Sequence, residues 1–381
     1  MTKGKLLIRD KIAPFDTQLR GGSGNYVYNL STELASRGWQ VDMLSPSSLN
    51  YEAPKTEGVN YEFFDYSNPT TIYGRFKHTF QGWRKVSEIT KSNHYDLVID
   101  NISHLPHLPL QYYTKENNSA LIVHNLKMKS AIKTSGILKA STIVGVEKLL
   151  PYLNPDQIIC AGPSTEARVQ NKLDFDSTAV LRPCINTNSI GYNYDPKSKK
   201  VLFLGRITDI KNVGLLLDAW KILAEKFPEF ELIIAGDGPK RKELERRTKE
   251  EKISRVTFTG FVEGKEKKNL LEESLAMVIP SMFEGYVTTG LEAMAAGTIV
   301  VGSDRRGIND YVIDSENGYL FPYDDLHSFE EILSAILSNP TEHQSIAEAG
   351  YKTSKRHSAE RFGDRADEIV DTLVNTPPTY Q

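Results

Sequence analysis

The chain has 381 residues, 39% of them hydrophobic and 25% charged, with a formal net charge of -3; this predicts two domains of ordinary composition and excludes nucleic-acid binding driven by bulk charge. Its two cysteines, Cys160 and Cys184, are too few for a disulfide framework and lack metal-ligand spacing, which fits a reducing cytoplasm. No apolar run approaches the ~20 residues of a membrane span, and MTKGKLLIRDKIAPFD has no apolar core of signal-peptide length, so any membrane contact is expected at the surface, on the inner face.

The first half alternates strand and helix. KLLIRD reads as a strand, followed by the loop APFDTQLRGGSG. NYVYNLSTELASRG reads as a helix with Val27, Leu30 and Leu34 on one face and Gly38 closing it. QVDMLSP is the next strand. In TIYGRFKHTFQGWRKVSEITK, Tyr73, Phe76, Phe80, Trp83 and Val86 share one helix face, beside Arg75, Lys77, Arg84 and Lys85. That face either packs on its own sheet or rests on lipid headgroups. YDLVIDN, SALIVHN and DQIICAGPS are short apolar runs ending in polar residues. Strands alternating with helices predict a parallel sheet covered on both faces.

The second half repeats this grammar. KKVLFLGR is a strand, NVGLLLDAWKILAEKF a helix, ELIIAGDG a strand, and PKRKELERRTKEE a helix with Pro239 at its first position. RVTFTGF, LAMVIPS and TIVVGSD continue the strands, and DLHSFEEILSAILSN is a further helix. The boundary falls in VLRPCINTNSIGYNYDPKSKK, giving domains 1–184 and 185–358, with a final helix in 359–381 crossing back to the first. The expected ligand site is a cleft between two facing Rossmann-like domains, at the carboxyl ends of the strands.

The chemistry concentrates in LAMVIPSMFEGYVTTGLEAMAAGTIVVGS. Glu284 sits in a glycine turn before a helix, and Glu292 sits inside that helix among Ala293, Met294, Ala295 and Ala296. A carboxylate on so apolar a helix needs a hydrogen-bonding partner, either a sugar hydroxyl pair or an internal salt bridge. Glu284 is either a ligand contact or a solvated helix cap. The helix start beside it favours phosphate. Arg206 and Lys211 lie between a strand end and the next helix, either as diphosphate ligands or as surface cations balancing Asp209 or glutamates.

These residues carry a family resemblance. Gly205-Arg206 with Lys211-Asn212, Gly236-Asp237-Gly238-Pro239, Gly260-Phe261-Val262, Glu284-Gly285, Leu291 to Gly297 and Asn317-Gly318 resemble, in order and spacing, the retaining glycosyltransferases of GT-B fold, group 1, family 4. Gly21-Gly22-Ser23-Gly24 before a helix and Val123-His124 ending a strand match in the first half. The resemblance implies an α/β GT-B architecture. It implies transfer of a sugar from a nucleoside diphosphate sugar, UDP-sugar by default, to an acceptor hydroxyl. The acceptor would be a glycan, a small molecule or a lipid-linked compound, and neither a cofactor nor a metal is needed.

The resemblance also implies residue roles. Arg206 and Lys211 neutralise the diphosphate. Glu292 accepts both ribose hydroxyls, and Glu284 contacts the transferred sugar. The backbone N–H groups of Gly285, Tyr286 and Val287 face sugar or phosphate. Gly22 approaches the diphosphate, and His124 orients the sugar. The Val262 backbone reads the base, with core packing as its alternative. Gly236 is equally a turn residue or a ligand contact. Three departures stand out. Gly285-Tyr286-Val287 lacks the family's second glycine. Asn125 replaces an aspartate, leaving Asp100 as a substitute base. Arg182-Pro183-Cys184-Ile185-Asn186 replaces the usual hinge. Asp324-Asp325 reads as a turn. A nucleotide-sugar 2-epimerase of the same architecture and a non-catalytic sugar-nucleotide binder remain alternatives.

Overall fold

The computed structural model describes residues 2–10, 22–47, 55–65, 72–101, 118–126, 144–145, 147–153, 155–187 and 189–377. The chain divides into two compact units, Met1–Cys184 with Ala359–Gln381, and Ile185–Ser358.

The first unit contains β1 (Gly4–Arg9), α1 (Gly22–Ser36), β2 (Trp39–Pro46), β3 (Val59–Phe64), α2 (Ile72–Ser92), β4 (Leu97–Asn101), β5 (Asn118–Val123), β6 (Gln157–Cys160), α3 (Pro163–Leu173) and β7 (Thr178–Val180). The strands form one parallel sheet in the order β3-β2-β1-β4-β5-β6-β7. β4 and β5 are buried along their whole length, as strands covered on both faces must be. Helix α1 starts at Gly22, inside the glycine stretch expected to be loop, and lays Tyr26, Val27, Leu30 and Leu34 on the sheet. In α2, Val86 and Ile89 enter a core with Phe64 and Tyr95, while Phe80 stays exposed. The side chains of Tyr73, Phe76, Trp83 and Arg75 lie outside the described residues, as does Gly21. Among the described residues, no helix is long and apolar enough to cross a membrane.

The second unit contains β8 (Lys200–Leu204), α4 (Val213–Lys226), β9 (Glu231–Ala235), α5 (Arg241–Glu250), β10 (Val256–Gly260), α6 (Gly264–Glu272), β11 (Ala276–Ile279), α7 (Thr288–Ala296), β12 (Ile299–Ser303), β13 (Tyr319–Phe321), α8 (Leu326–Ser338) and α9 (Gln344–Lys355). The parallel sheet runs β10-β9-β8-β11-β12-β13. Strand order therefore reverses between β8 and β11, and loops leaving these two strands diverge to open a crevice at their carboxyl ends. Trp220, Phe203, Phe230 and Phe321 fill the core on one face, each stabilising the fold by roughly 2–3 kcal/mol through burial.

Helix α7 shows how local sequence fixes the site. Leucine, methionine and alanine favour the helix. Gly297, at φ +90, ends it by donating to the carbonyls of Ala293 and Met294. Gly290 is there for space, since a Cβ would lie 2.1 Å from the Tyr311 hydroxyl oxygen, and that hydroxyl donates to Val287 O at 3.0 Å. One boundary differs from expectation. Helix α5 begins at Arg241, so Pro239 precedes it instead of opening it.

The closing helix α10 (Ala359–Asn375) belongs to the first unit and packs Phe362, Ala366, Ile369 and Val370 into its core. Asp367 on α10 accepts from Trp39 Nε1 at 2.7 Å and from Lys3 Nζ at 2.7 Å.

Candidate active site

The loops that leave β8 and β11 are joined at the point of strand reversal. Met282 N donates to Ile210 O at 2.7 Å. Lys211 Nζ then meets Glu284 Oε1 at 2.6 Å, both side chains being largely buried. Two sequence-predicted residues from different loops are thus in contact. The alternative weighed from sequence is realised in part, because Lys211 is balanced by a glutamate, Glu284, while Asp209 pairs with Lys240 at 3.0 Å. Arg206 is exposed and forms no ion pair among the described residues. An ammonium has three donors and Glu284 takes one, so Lys211 retains capacity for an anion.

Two helix starts add positive potential. Helices α4 and α7 follow these same loops, and neither carries a capping side chain at its N-terminus. The first N–H groups of an uncapped helix lack internal partners and bear partial positive charge, which favours phosphate.

A second turn shapes the acidic loop. Glu284 N donates to Arg306 O and Val287 N to Gly307 O, both at 3.2 Å. Of the three expected amide donors, Val287 is therefore already engaged within the protein. Gly307, at φ +76, permits this approach, because a Cβ would come within 2.8 Å of the Glu284 carbonyl. Tyr286 meets His357 Nε2 through its hydroxyl at 2.8 Å. Neither Gly307 nor His357 stands out in the sequence. For Gly307 the only signal is a glycine in the polar turn after a buried strand.

Glu292 is the one residue from Gly290 to Ser303 that is not buried. Lys267 Nζ holds both its oxygens, at 2.8 Å to Oε1 and 2.6 Å to Oε2. The salt-bridge alternative weighed from sequence is thus realised. It leaves room for a ligand, since a carboxylate has about four acceptor positions and the lysine donates to Oε1 alone, leaving the buried Oε2 without a hydrogen bond.

Gly236 and Gly238 have a steric role. Cβ atoms there would lie 1.9 Å from Gly205 O and 2.2 Å from Ile207 O. The turn packs directly against the backbone on either side of Arg206. Val262 is buried two residues after β10 ends, while Phe261 beside it is exposed.

In the first unit, His124 Nε2 lies 2.9 Å from Asn101 Oδ1, and Asn101 Nδ2 donates to Asp10 Oδ1 at 2.8 Å. A carboxylate only accepts, so it turns the amide nitrogen toward Asp10 and the amide oxygen toward His124. Nε2 of His124 is then the protonated nitrogen. Asp100, the substitute base, is locked in a buried ion pair with Arg9 through Nε at 2.9 Å and a second bond from Nη2. Its carboxylate is thus already engaged within the protein. Gly22 opens α1, with nothing among the described residues within 4 Å of a Cβ placed there.

Residues 186–353 match the family model described as glycosyl transferases group 1, and residues 20–189 match that described as glycosyltransferase family 4. The chain belongs to the group 1, family 4 glycosyltransferases. Phosphatidyl-myo-inositol mannosyltransferase of Mycobacterium tuberculosis is 25% identical over 385 residues, spanning 97% of this chain and 98% of that protein. Sucrose-phosphate synthase from Thermosynechococcus elongatus superimposes with a TM-score of 0.81 at 21% identity, over 97% of this chain and 99% of the other. HepE of Anabaena, solved in complex with UDP-glucose, gives 0.72 at 16% identity, over 97% and 100%. These structural likenesses show the GT-B fold with its two Rossmann-like parallel sheets. Among the described residues of this family member, no group of three or more histidines, cysteines and carboxylates is placed to hold a metal ion.

Proposed function

We propose that this glycosyltransferase moves a sugar from a UDP-sugar to an acceptor hydroxyl with retention of anomeric configuration. The Lys211–Glu284 contact at the strand-reversal point carries the reading. It sets a cation for the diphosphate beside a carboxylate for the transferred sugar. Arg206, Lys211 and the starts of α4 and α7 stabilise charge on the departing diphosphate, which is where transition-state stabilisation has most effect. Glu284 accepts from sugar hydroxyls, Glu292 from the ribose, and Gly285 and Tyr286 border the sugar pocket. Val262 faces the base. His124 and Gly22 act from the first unit, which takes the acceptor.

The chemistry is front-face substitution. The acceptor oxygen bonds to the anomeric carbon as that carbon's bond to the diphosphate oxygen breaks, and the acceptor proton passes to the departing phosphate. No side-chain nucleophile is used, and the cationic side chains take the place of a metal. A lipid acceptor is supported by the mannosyltransferase relative's name, and UDP by the HepE complex.

Thermal-shift screening against nucleoside diphosphates and nucleotide-sugars tests this reading. One diphosphate should raise the melting temperature by several degrees. Arg206→Ala and Lys211→Ala should reduce that rise and slow transfer at least a hundredfold with the fold intact. Near-normal transfer in both variants would contradict the assignment. Proton NMR of a reaction without acceptor separates the alternatives: an isomerised donor identifies an epimerase, and binding without turnover on an acceptor panel identifies a binder.

A further inference from the structure

We infer that Lys267 is a positioning residue for the donor's ribose, holding Glu292 in the orientation and charge state that receives the two ring hydroxyls. The inference rests on the reading of Glu292 as the ribose acceptor.

Lys267 Nζ donates to Oε1 at 2.8 Å and lies 2.6 Å from Oε2, a buried oxygen that accepts no hydrogen bond. A lysine seated across both oxygens fixes the plane of the carboxylate and takes an acceptor position from Oε1 only. At least one position per oxygen remains, and these suit a pair of hydroxyls on adjacent carbons, each donating once.

Covering this site with a ribose removes water from a carboxylate that stands on an otherwise buried helix segment. An uncompensated carboxylate would resist that step. Lys267 compensates it from the protein, so the ligand need not supply the counter-charge. Its position is also set by the neighbouring recognition element. Helix α6 begins two residues after Val262, with Gly264 at φ +54 making the turn, and Lys267 lies within its first turn. Leu271, further along the same helix, packs in one core with Val262 and Leu291. The backbone assigned to the base and the carboxylate assigned to the ribose are therefore linked through one short helix.

A simple staple between α6 and α7 would explain the ion pair equally well, and the two roles make different predictions. A staple supports every ligand alike, whereas a positioning residue matters only where hydroxyls are present. Titration calorimetry with UDP and 2′,3′-dideoxy-UDP, or the matching ADP or GDP pair where thermal shift selects that base, separates them. The wild type should prefer the ribonucleotide at least tenfold. Lys267→Met, which keeps the apolar stem, should weaken the ribonucleotide about tenfold and the dideoxy analogue less than twofold. Lys267→Arg should recover most of the loss, and Lys267→Gln serves if the methionine variant melts early. Equal weakening of both ligands, or full discrimination in the methionine variant, overturns the inference. A wild type that does not discriminate instead overturns the ribose role of Glu292 itself.

Discussion

Lys211 and Glu284 are brought together by two loops whose own sequences say little about each other. The contact depends on Gly236 and Gly307, which let backbone pack against Gly205 and Glu284 at distances no side chain permits. Sequence alone therefore singles out the charged residues by their types and spacing, but not their partners. Lys267 is the clearest case, since it lies 25 residues from Glu292 in a helix of only nine residues. The same holds for Asp100, whose partner Arg9 comes from a different strand. The cysteines illustrate burial acting alone. Burial pushes both Cys160 and Cys184 thiols up to about 12, so the native thiols stay protonated at pH 8. A thiol-reactive chromophore should label neither until the protein unfolds, and rapid native labelling would contradict this. The folded pKa values exceed the unfolded value of about 8.5, so the unfolded state loses these protons first. Stability from this source is complete below about pH 8.5 and falls between there and about 12.

At the scale of elements, strongly periodic segments were legible and short ones were not. The helices at 213–226 and 326–338 and the strands β8 and β12 agree with the sequence reading to within one or two residues. Strands β7 and β13 have three residues each, too few to display an alternation, and their pairing comes from the neighbouring strand. Helix α1 begins within the glycines because its start is set by the sheet it covers and not by helix propensity. Helix α10 offers a direct test of what holds an added element in place. Burial of Asp367 works against its charge, but bonds from Lys3 and Trp39 outweigh that and hold its carboxyl below the usual range. Asp367→Ala leaves the Trp39 ring N–H without its acceptor, a loss of about 2 kcal/mol. The urea midpoint should fall and α10 amides should exchange faster. The wild-type contribution is present above the unfolded carboxyl value near 3.9 and is lost as the pH falls through the lower folded value. An unchanged midpoint would show that apolar packing alone secures the helix.

For the molecule as a whole, two parallel sheets set the loops that carry Lys211, Glu284 and His124 at the carboxyl ends of their strands. The alternating grammar of the sequence was enough to anticipate this, because a parallel sheet buried on both faces leaves only its strand ends for chemistry. What it could not supply is the pairing of cations and carboxylates across the reversal point, which is a product of tertiary packing. The central claim is that this point grips a pyrophosphate. Its most direct test compares the affinity of the preferred nucleoside diphosphate with that of the bare nucleoside, in the wild type and in Lys211→Ala, by titration calorimetry. The wild type should favour the diphosphate by at least about a hundredfold, and the variant should lose at least about tenfold of that preference while binding the nucleoside unchanged. A variant that keeps the full preference, with its fold intact, would contradict the account.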